Sequence, residues 1–214
     1  GPMSVIKADI YFDFRWPFVF NSVVWLNQVK EALGGKEPLE ATWRPFSLAQ
    51  VNQKIGPNYE VWDEADENLD ESLWGLRAGQ AARRQGEDAL RNFLPKLLEA
   101  RHINRVSLGD QSTLIQIASE SGLDITKFKS DLRDRTTLDE IKASHLEATE
   151  SLGVFGTPTF ILDGGGSAFI KMIRPQSKAD ALSAFESLVS LLKNAPFLGE
   201  VKRPQPPWPK GVFD

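Results

Sequence analysis

Two stretches hold the residues whose types and spacing could do chemistry. The first is Asp13-Phe14-Arg15-Trp16-Pro17-Phe18-Val19-Phe20, where a strand stops at Asp13 and a helix opens with Pro17 in its first turn. A missing N–H costs nothing there. The second is Gly153-Val154-Phe155-Gly156-Thr157-Pro158-Thr159-Phe160-Ile161-Leu162, a helix end that passes through Gly156 into a Thr-Pro step and a short apolar strand. Pro158 cannot donate to a ladder, so it belongs at a first position or an edge, in a tight turn of the kind that favours a cis bond. The helix start at Trp16 presents unpaired N–H groups and a positive dipole end. The side chains under that field are apolar, so an anion held there has to arrive with a ligand.

Charged groups around these stretches give a short set of candidates. Asp13 and Arg15 flank the helix start, and Asp13 either caps the helix or, if buried, accepts a proton. Arg44 at the end of the second strand, and Lys171 and Arg174 on the last one, are of a type that binds a carboxylate, but only convergence in space would give them that role. His145 lies on an apolar helix face, where it is either a satisfied core group or a general base.

What the chain lacks is equally informative. None of its 214 residues is cysteine. The thiolate is the species that attacks a disulfide or ligates a soft metal, so disulfide exchange and thiolate metal sites are excluded. Two histidines are too few for a typical zinc site without carboxylates, and no metal is expected. With 25 basic and 29 acidic side chains the net charge is -4, which gives a polyanion no encouragement. Arg83-Arg84, and Arg101-His102 with Arg105, read as solvated helix ends, and no nucleic acid is expected as a partner.

No apolar run approaches the roughly 18 residues of a membrane span, so neither a membrane partner nor a leader is expected and the location is read as cytoplasmic. Gly1-Pro2 ahead of Met3 reads as a protease-cleavage scar.

Val154-Phe155-Gly156-Thr157-Pro158-Thr159-Phe160 resembles throughout the cis-proline motif of the DsbA branch of the thioredoxin superfamily. That branch includes the FrnE-like proteins, 2-hydroxychromene-2-carboxylate isomerases and kappa-class glutathione transferases. The earlier stretch is similar to the same family as a frame, but Trp16-Pro17-Phe18-Val19 stands where redox members have Cys-Pro-X-Cys, and no serine takes the first position. Arg44-Pro45-Phe46-Ser47-Leu48 is similar to the corresponding strand end of the kappa-class and isomerase members. The resemblance implies an α/β thioredoxin-like fold with a mixed central sheet and a large helical insertion. It also implies that Thr157 offers backbone groups, beside Pro158, to a bound peptide or to the cysteinyl part of glutathione.

The elements needed to position these residues follow in order. Ile6, Ala8, Ile10 and Phe12 alternate with Lys7, Asp9 and Tyr11 as in a strand. Val19, Val23, Leu26, Val29 and Leu33 make a helical stripe that Gly34-Gly35 ends. A second strand is expected from Leu39 to Phe46, then a surface excursion from Gln50 to Asp70 with Trp62 as an anchor. Helices follow through Leu152: one carries Leu73 and Leu76, and one carries Leu90 to Arg101 with Pro95 kinking or restarting it. Asp110 and Asp124 cap the next two, and a last begins at Thr136 or Thr137 with Leu138, Ile141, His145, Ala148 and Leu152 on one face.

Strands from Phe160 to Asp163 and Ala168 to Ile173 close a hairpin around Gly164-Gly165-Gly166, and Ser177 caps the final helix. Beyond Lys202 the prolines around Trp208 predict an extended tail draped over the body. Residues 1–60 and 154–201 are thereby read as a thioredoxin-like domain, 61–153 as an inserted helical domain and 202–214 as the tail.

The resulting expectation is a thioredoxin-fold protein, an oxidoreductase by descent, without dithiol chemistry. It binds a small organic substrate or a thiol cofactor such as glutathione in a cleft formed by Trp16, Pro17, Phe18, Thr157 and Pro158, with Asp13, Arg15, Arg44 and Lys171 around it. An isomerase or transferase reaction is the nearest precedent implied by the resemblance, and no catalytic residue is assigned. The alternative is a non-catalytic module that grips an extended peptide along the Pro158 strand edge. Trp62, Trp74 and Trp208 lie in segments able to roof the cleft.

Overall fold

The structure, a computed structural model, describes residues 5–208. Strand β1 (Ile6–Phe12) sits inside a four-stranded sheet of order β2-β1-β3-β4, with β2 spanning Leu39–Pro45, β3 Thr159–Leu162 and β4 Ser167–Phe169. β2 runs parallel to β1, and β3 runs antiparallel to both β1 and β4, so the sheet is mixed. The register pairs Ile10 with Trp43 on one side and Phe160 on the other. Period-two alternation then turns these side chains, with Ala8, Phe12 and Leu162, to one buried face.

Helices α1 (Pro17–Ala32) and α8 (Lys178–Asn194) cover that face. Trp25 joins them. Its Nε1–H donates to the Ala181 carbonyl at 3.0 Å, and its ring meets Phe160 edge-on at 6.2 Å and Phe185 at 5.8 Å. The buried stripe of α1 is therefore centred on Ser22, Trp25 and Val29, while Val23 and Leu26 of the expected stripe are only half-buried. The indole can reach α8 and satisfy its N–H, which decides the phase.

The opposite face is covered only toward its C-terminal end, where Tyr11, Phe46, Ala148 and Val154 form a second small core. The remainder is a hollow of about 380 Å³ lined by Lys7, Asp9, Glu40, Thr42, Ile161 and Asp163.

Between β2 and β3 come α2 (Leu48–Asn52), α3 (Glu71–Arg83), α4 (Glu87–His102), α5 (Gln111–Glu120), α6 (Ile125–Arg133) and α7 (Thr136–Leu146). α3 is buried almost all round, and Phe14, next to the helix start at Trp16, packs into it where Gly79 leaves room: a Cβ there would lie 3.3 Å from the Phe14 ring. α4 runs unbroken through Pro95. The Arg91 guanidinium of α4 donates from Nε and Nη2 to the Ala41 carbonyl on β2 at 3.0 and 2.7 Å.

The basic cluster of α3 is consumed by acids. Arg84 pairs with Asp131 at 3.1 Å, Asp134 at 2.9 Å and Glu140, while Arg83 pairs with Glu87 at 3.2 Å. Among the described residues no helix is long and apolar enough to cross a membrane.

Four expectations need correction. The excursion after β2 begins with the short helix α2, capped by the Ser47 hydroxyl accepting from the Gln50 amide at 3.1 Å. α7 widens into a π-type turn over Glu147–Ser151, so Ala148 stays buried but Leu152 is turned outward. The last strand ends at Phe169; the Ile170 N–H still reaches the β3 side, at the Pro158 carbonyl, but the Met172 carbonyl accepts from Asn21 Nδ2 of α1 at 3.0 Å. The tail is not extended through Pro207, since the Trp208 N–H turns back to the Pro204 carbonyl at 3.2 Å. Pro209 and the start at Gly1-Pro2-Met3 lie outside the described residues.

Candidate functional site

The start of α1 is a helix end without a side-chain cap. Trp16 occupies the cap position with extended backbone, φ -96° and ψ 119°, Pro17 follows, and no acidic residue stands in the first turn. No side chain at the cap or in the first turn of α1 therefore compensates the positive end of its dipole. The Trp16 and Phe18 rings pack at 5.1 Å between centroids.

Two further segments reach this aromatic step. The Thr157–Pro158 peptide bond is cis, and both residues are buried. β3 pairs Thr159 with Tyr11 of β1, two residues before Asp13, so Thr157 and Pro158 enter the sheet at the end of β1 that leads to the start of α1. The Pro158 carbonyl accepts the Ile170 N–H at 3.1 Å, which fixes the path of the chain leaving β4. One residue on, the Lys171 ammonium sits 4.6 Å above the Phe18 ring and 5.3 Å from the ring of Trp208. Trp208 in turn lies 6.2 Å from Phe18. The Thr157 hydroxyl is buried and has no hydrogen-bond partner.

Trp16, Phe18 and Lys171 are therefore brought together, with Pro17 between the two aromatics in the chain, and the Pro158–Ile170 bond carries Pro158 to within one residue of Lys171. Three other candidates are placed differently. Arg44 alternates onto the sheet face away from α1, where its Nε is 3.7 Å from Asp9, so it does not join Lys171. Arg15 is exposed, and its backbone N–H donates to Asp13 Oδ1 at 3.1 Å. Asp13 is fully buried with its oxygens turned to the backbone: Oδ2 accepts the Leu48 N–H at 2.9 Å. Burial pushes its carboxyl up to about 6, against the pull of the Leu48 and Arg15 amides and the Arg15 charge. Asp13 thus serves as a cap for the turn into α2.

His145 is a core group. Its Nδ1 accepts the Ser47 N–H at 3.0 Å, its ring packs on Phe46 at 4.6 Å and Trp62 at 5.4 Å, and burial lowers its pKa to about 4. Trp62 is spent on that contact and Trp74 on the Arg77 guanidinium at 4.0 Å; of the three tryptophans able to roof the cleft, Trp208 alone reaches Phe18. Arg174 covers Phe20 at 5.1 Å. His102 is not a solvated helix end: its Nε2 is 2.8 Å from the Phe14 carbonyl and its ring stacks on Phe20, with burial lowering its pKa. A histidine that close in sequence to a run of arginines carries no signal of such a contact. Among the described residues no three His, Asp or Glu side chains are grouped to hold a metal ion.

Comparison with known proteins gives the family. Residues 7–185 match the model of the DSBA-like thioredoxin domain. An uncharacterized protein of Mycobacterium tuberculosis, Rv2286c, is 27% identical over 200 residues, covering 94% of this chain and 83% of that protein. A probable DsbA oxidoreductase of Streptomyces coelicolor, SCO1869, superposes with a TM-score of 0.61 at 18% identity, covering 92% of this chain and 93% of the other. A 2-hydroxychromene-2-carboxylate isomerase superposes with a TM-score of 0.59 at 16% identity, covering 91% and 100%. The chain belongs to the DSBA-like thioredoxin domain family and, having no cysteine, is a member that cannot exchange disulfides.

Proposed function

We propose that the protein binds a small organic acid with a flat apolar body at the start of α1, using Lys171 and the bare helix end for the anion and Trp16 and Phe18 for the body. One observation carries this reading: an ammonium held against aromatic rings beside uncapped helix amides. Such a surface is attractive to a negative charge and to a ring at once. A 2-hydroxychromene-2-carboxylate isomerase of the same fold supplies the precedent for an aromatic carboxylate, and rearrangement of such an acid without a sulfur nucleophile is the reaction class we favour. Glutathione is the second ligand class. Trp16 supplies no hydroxyl or thiol for its sulfur, so only its carboxylates would be held.

The test is calorimetric titration with 2-naphthoate and, separately, glutathione. Binding of 2-naphthoate that Lys171→Ala weakens about tenfold, a loss the size of one charge-assisted contact, supports the reading. Indifference of the affinity to position 171 would remove it.

A second reading is favoured by Phe155, which is 69% exposed and packs on Phe169 at 5.3 Å just ahead of Gly156 and Thr157. Exposed rings beside the Pro158 turn suit a protein module that grips an extended peptide there. Phe155→Ser would then weaken peptide capture and leave 2-naphthoate binding unchanged.

A further inference from the structure

The chain after α8 has an unusual distribution of burial. Every residue from Pro196 to Pro207 is exposed, and Trp208 is then half-buried against Phe18. An indole that far along an exposed segment is the described tail's aromatic anchor. It is set on the one aromatic ring that Trp16 and Lys171 also use. The Lys171 ammonium lies within reach of both rings, one from α1 and one from the tail. Trp208 thus occupies the position where the flat body of a ligand would stack, and it takes up the charge that would meet the ligand's anion.

We infer that the C-terminal strap is an autoinhibitory cover, with Trp208 as a removable plug on Phe18 and Lys171 as its latch. This rests on the ligand reading above for its purpose, but not for its structure. The plug and a planar acid compete for the same ring and the same ammonium, so the free site is the minor state and ligand affinity is reduced by the fraction closed. The latch works in one direction. A carboxylate entering beside Lys171 gives the ammonium a stronger partner than an aromatic face, and the strap then loses its cation as well as its ring.

The absence of native cysteine makes a direct test possible, since a single introduced thiol reports without background. Trp16→Cys places one beside Phe18, and its alkylation by iodoacetamide is followed by mass spectrometry in three further backgrounds: Trp208→Ala, Trp208→Phe and deletion of residues 203–214. A removable cover predicts that Trp208→Ala and the deletion raise the alkylation rate at least ~5-fold, while Trp208→Phe stays near the parent, with circular dichroism confirming the fold in each. Equal rates in all backgrounds would overturn the cover. The ligand arm is separate: 2-naphthoate titrated into Trp208→Ala in the otherwise native chain should bind at least ~3-fold tighter than into the full chain. Unchanged affinity there would overturn competition by the plug, whereas faster alkylation with no naphthoate binding in either protein would keep the strap and remove the proposed ligand.

Discussion

Asp13 and His145 hold successive backbone amides of a single turn. His145 Nδ1 takes the Ser47 N–H at 3.0 Å and Asp13 Oδ2 takes the Leu48 N–H at 2.9 Å, so the turn from β2 into α2 hangs on two buried titratable groups from distant parts of the chain. Their pKa values are displaced by the same cause in opposite directions, upward to about 6 for the acid and downward to about 4 for the base.

For His145, burial keeps the folded ring neutral down to about pH 4, while the unfolded ring protonates near its ordinary 6.5. The unfolded state therefore binds more protons between those values. His145 contributes stability that is complete above 6.5 and lost as pH falls toward 4, up to about 3 kcal/mol. His145→Asn, which can still accept the Ser47 N–H, should lose less stability than the parent on going from pH 7 to 4.5 in urea titrations.

For Asp13 the sign reverses. The folded carboxyl stays protonated up to about 6 while the unfolded one ionises near 3.8, so its contribution is full below 3.8 and lost as pH rises to 6, again about 3 kcal/mol at most. Asp13→Asn should be stabilised relative to the parent as pH is raised across that window. A constant difference between the two proteins from pH 4 to 7 would show that Asp13 is not held in its neutral form. In the parent the two groups oppose each other, and the acid limb of stability should be shallow until the single variants unmask each.

Trp25 ties α1 to α8 through both packing and its N–H. Trp25→Phe leaves the Ala181 carbonyl without that donor and should cost about 1–3 kcal/mol, and Trp25→Ala about 3–5 kcal/mol. Thermal unfolding measures both, and near-equality of the two variants would show that the ring volume carries little.

Gly166 has φ +84°, and a Cβ there would stand 2.7 Å from the Leu192 carbonyl oxygen of α8. Since the near atom is backbone, it cannot swing aside. Gly166→Ala should destabilise by about 1–3 kcal/mol, while Gly199→Ala, with nothing within 4 Å, should leave the unfolding midpoint within error.

A thiol placed at the helix start should feel the field that the apolar side chains leave unused. In Trp16→Cys the thiol pKa, read from thiolate absorbance, should fall below the ordinary value of about 8.5. The parent, with no cysteine, should leave insulin disulfides unreduced.

Much of the fold was legible in the chain because strand alternation and side-chain caps are local signals. Asp110, Asp124 and Ser177 cap the helices they announce, and Ile6 to Phe12 alternates as it folds. The family frame was legible in the Val154 to Phe160 segment. What was not legible depends on partners far away. The buried stripe of α1 is set by Ala181, the widening after Leu146 by the second small core under Tyr11, and the turn of the tail by Phe18. Arg44 and Lys171 look alike as lone cations at strand ends. The side of the sheet on which each emerges separates them, and that depends on register and on where β4 stops.

The Arg91 fork on Ala41 covers part of an open margin of the sheet. β2 is an outer strand, and a guanidinium already bonded to one of its carbonyls leaves an incoming chain no continuous row of acceptors on that side. At the other margin β4 offers three residues only. One margin of the sheet is thus partly bolted and the other is short, and Arg91→Met should raise edge-to-edge self-association, read as a larger species in size-exclusion chromatography.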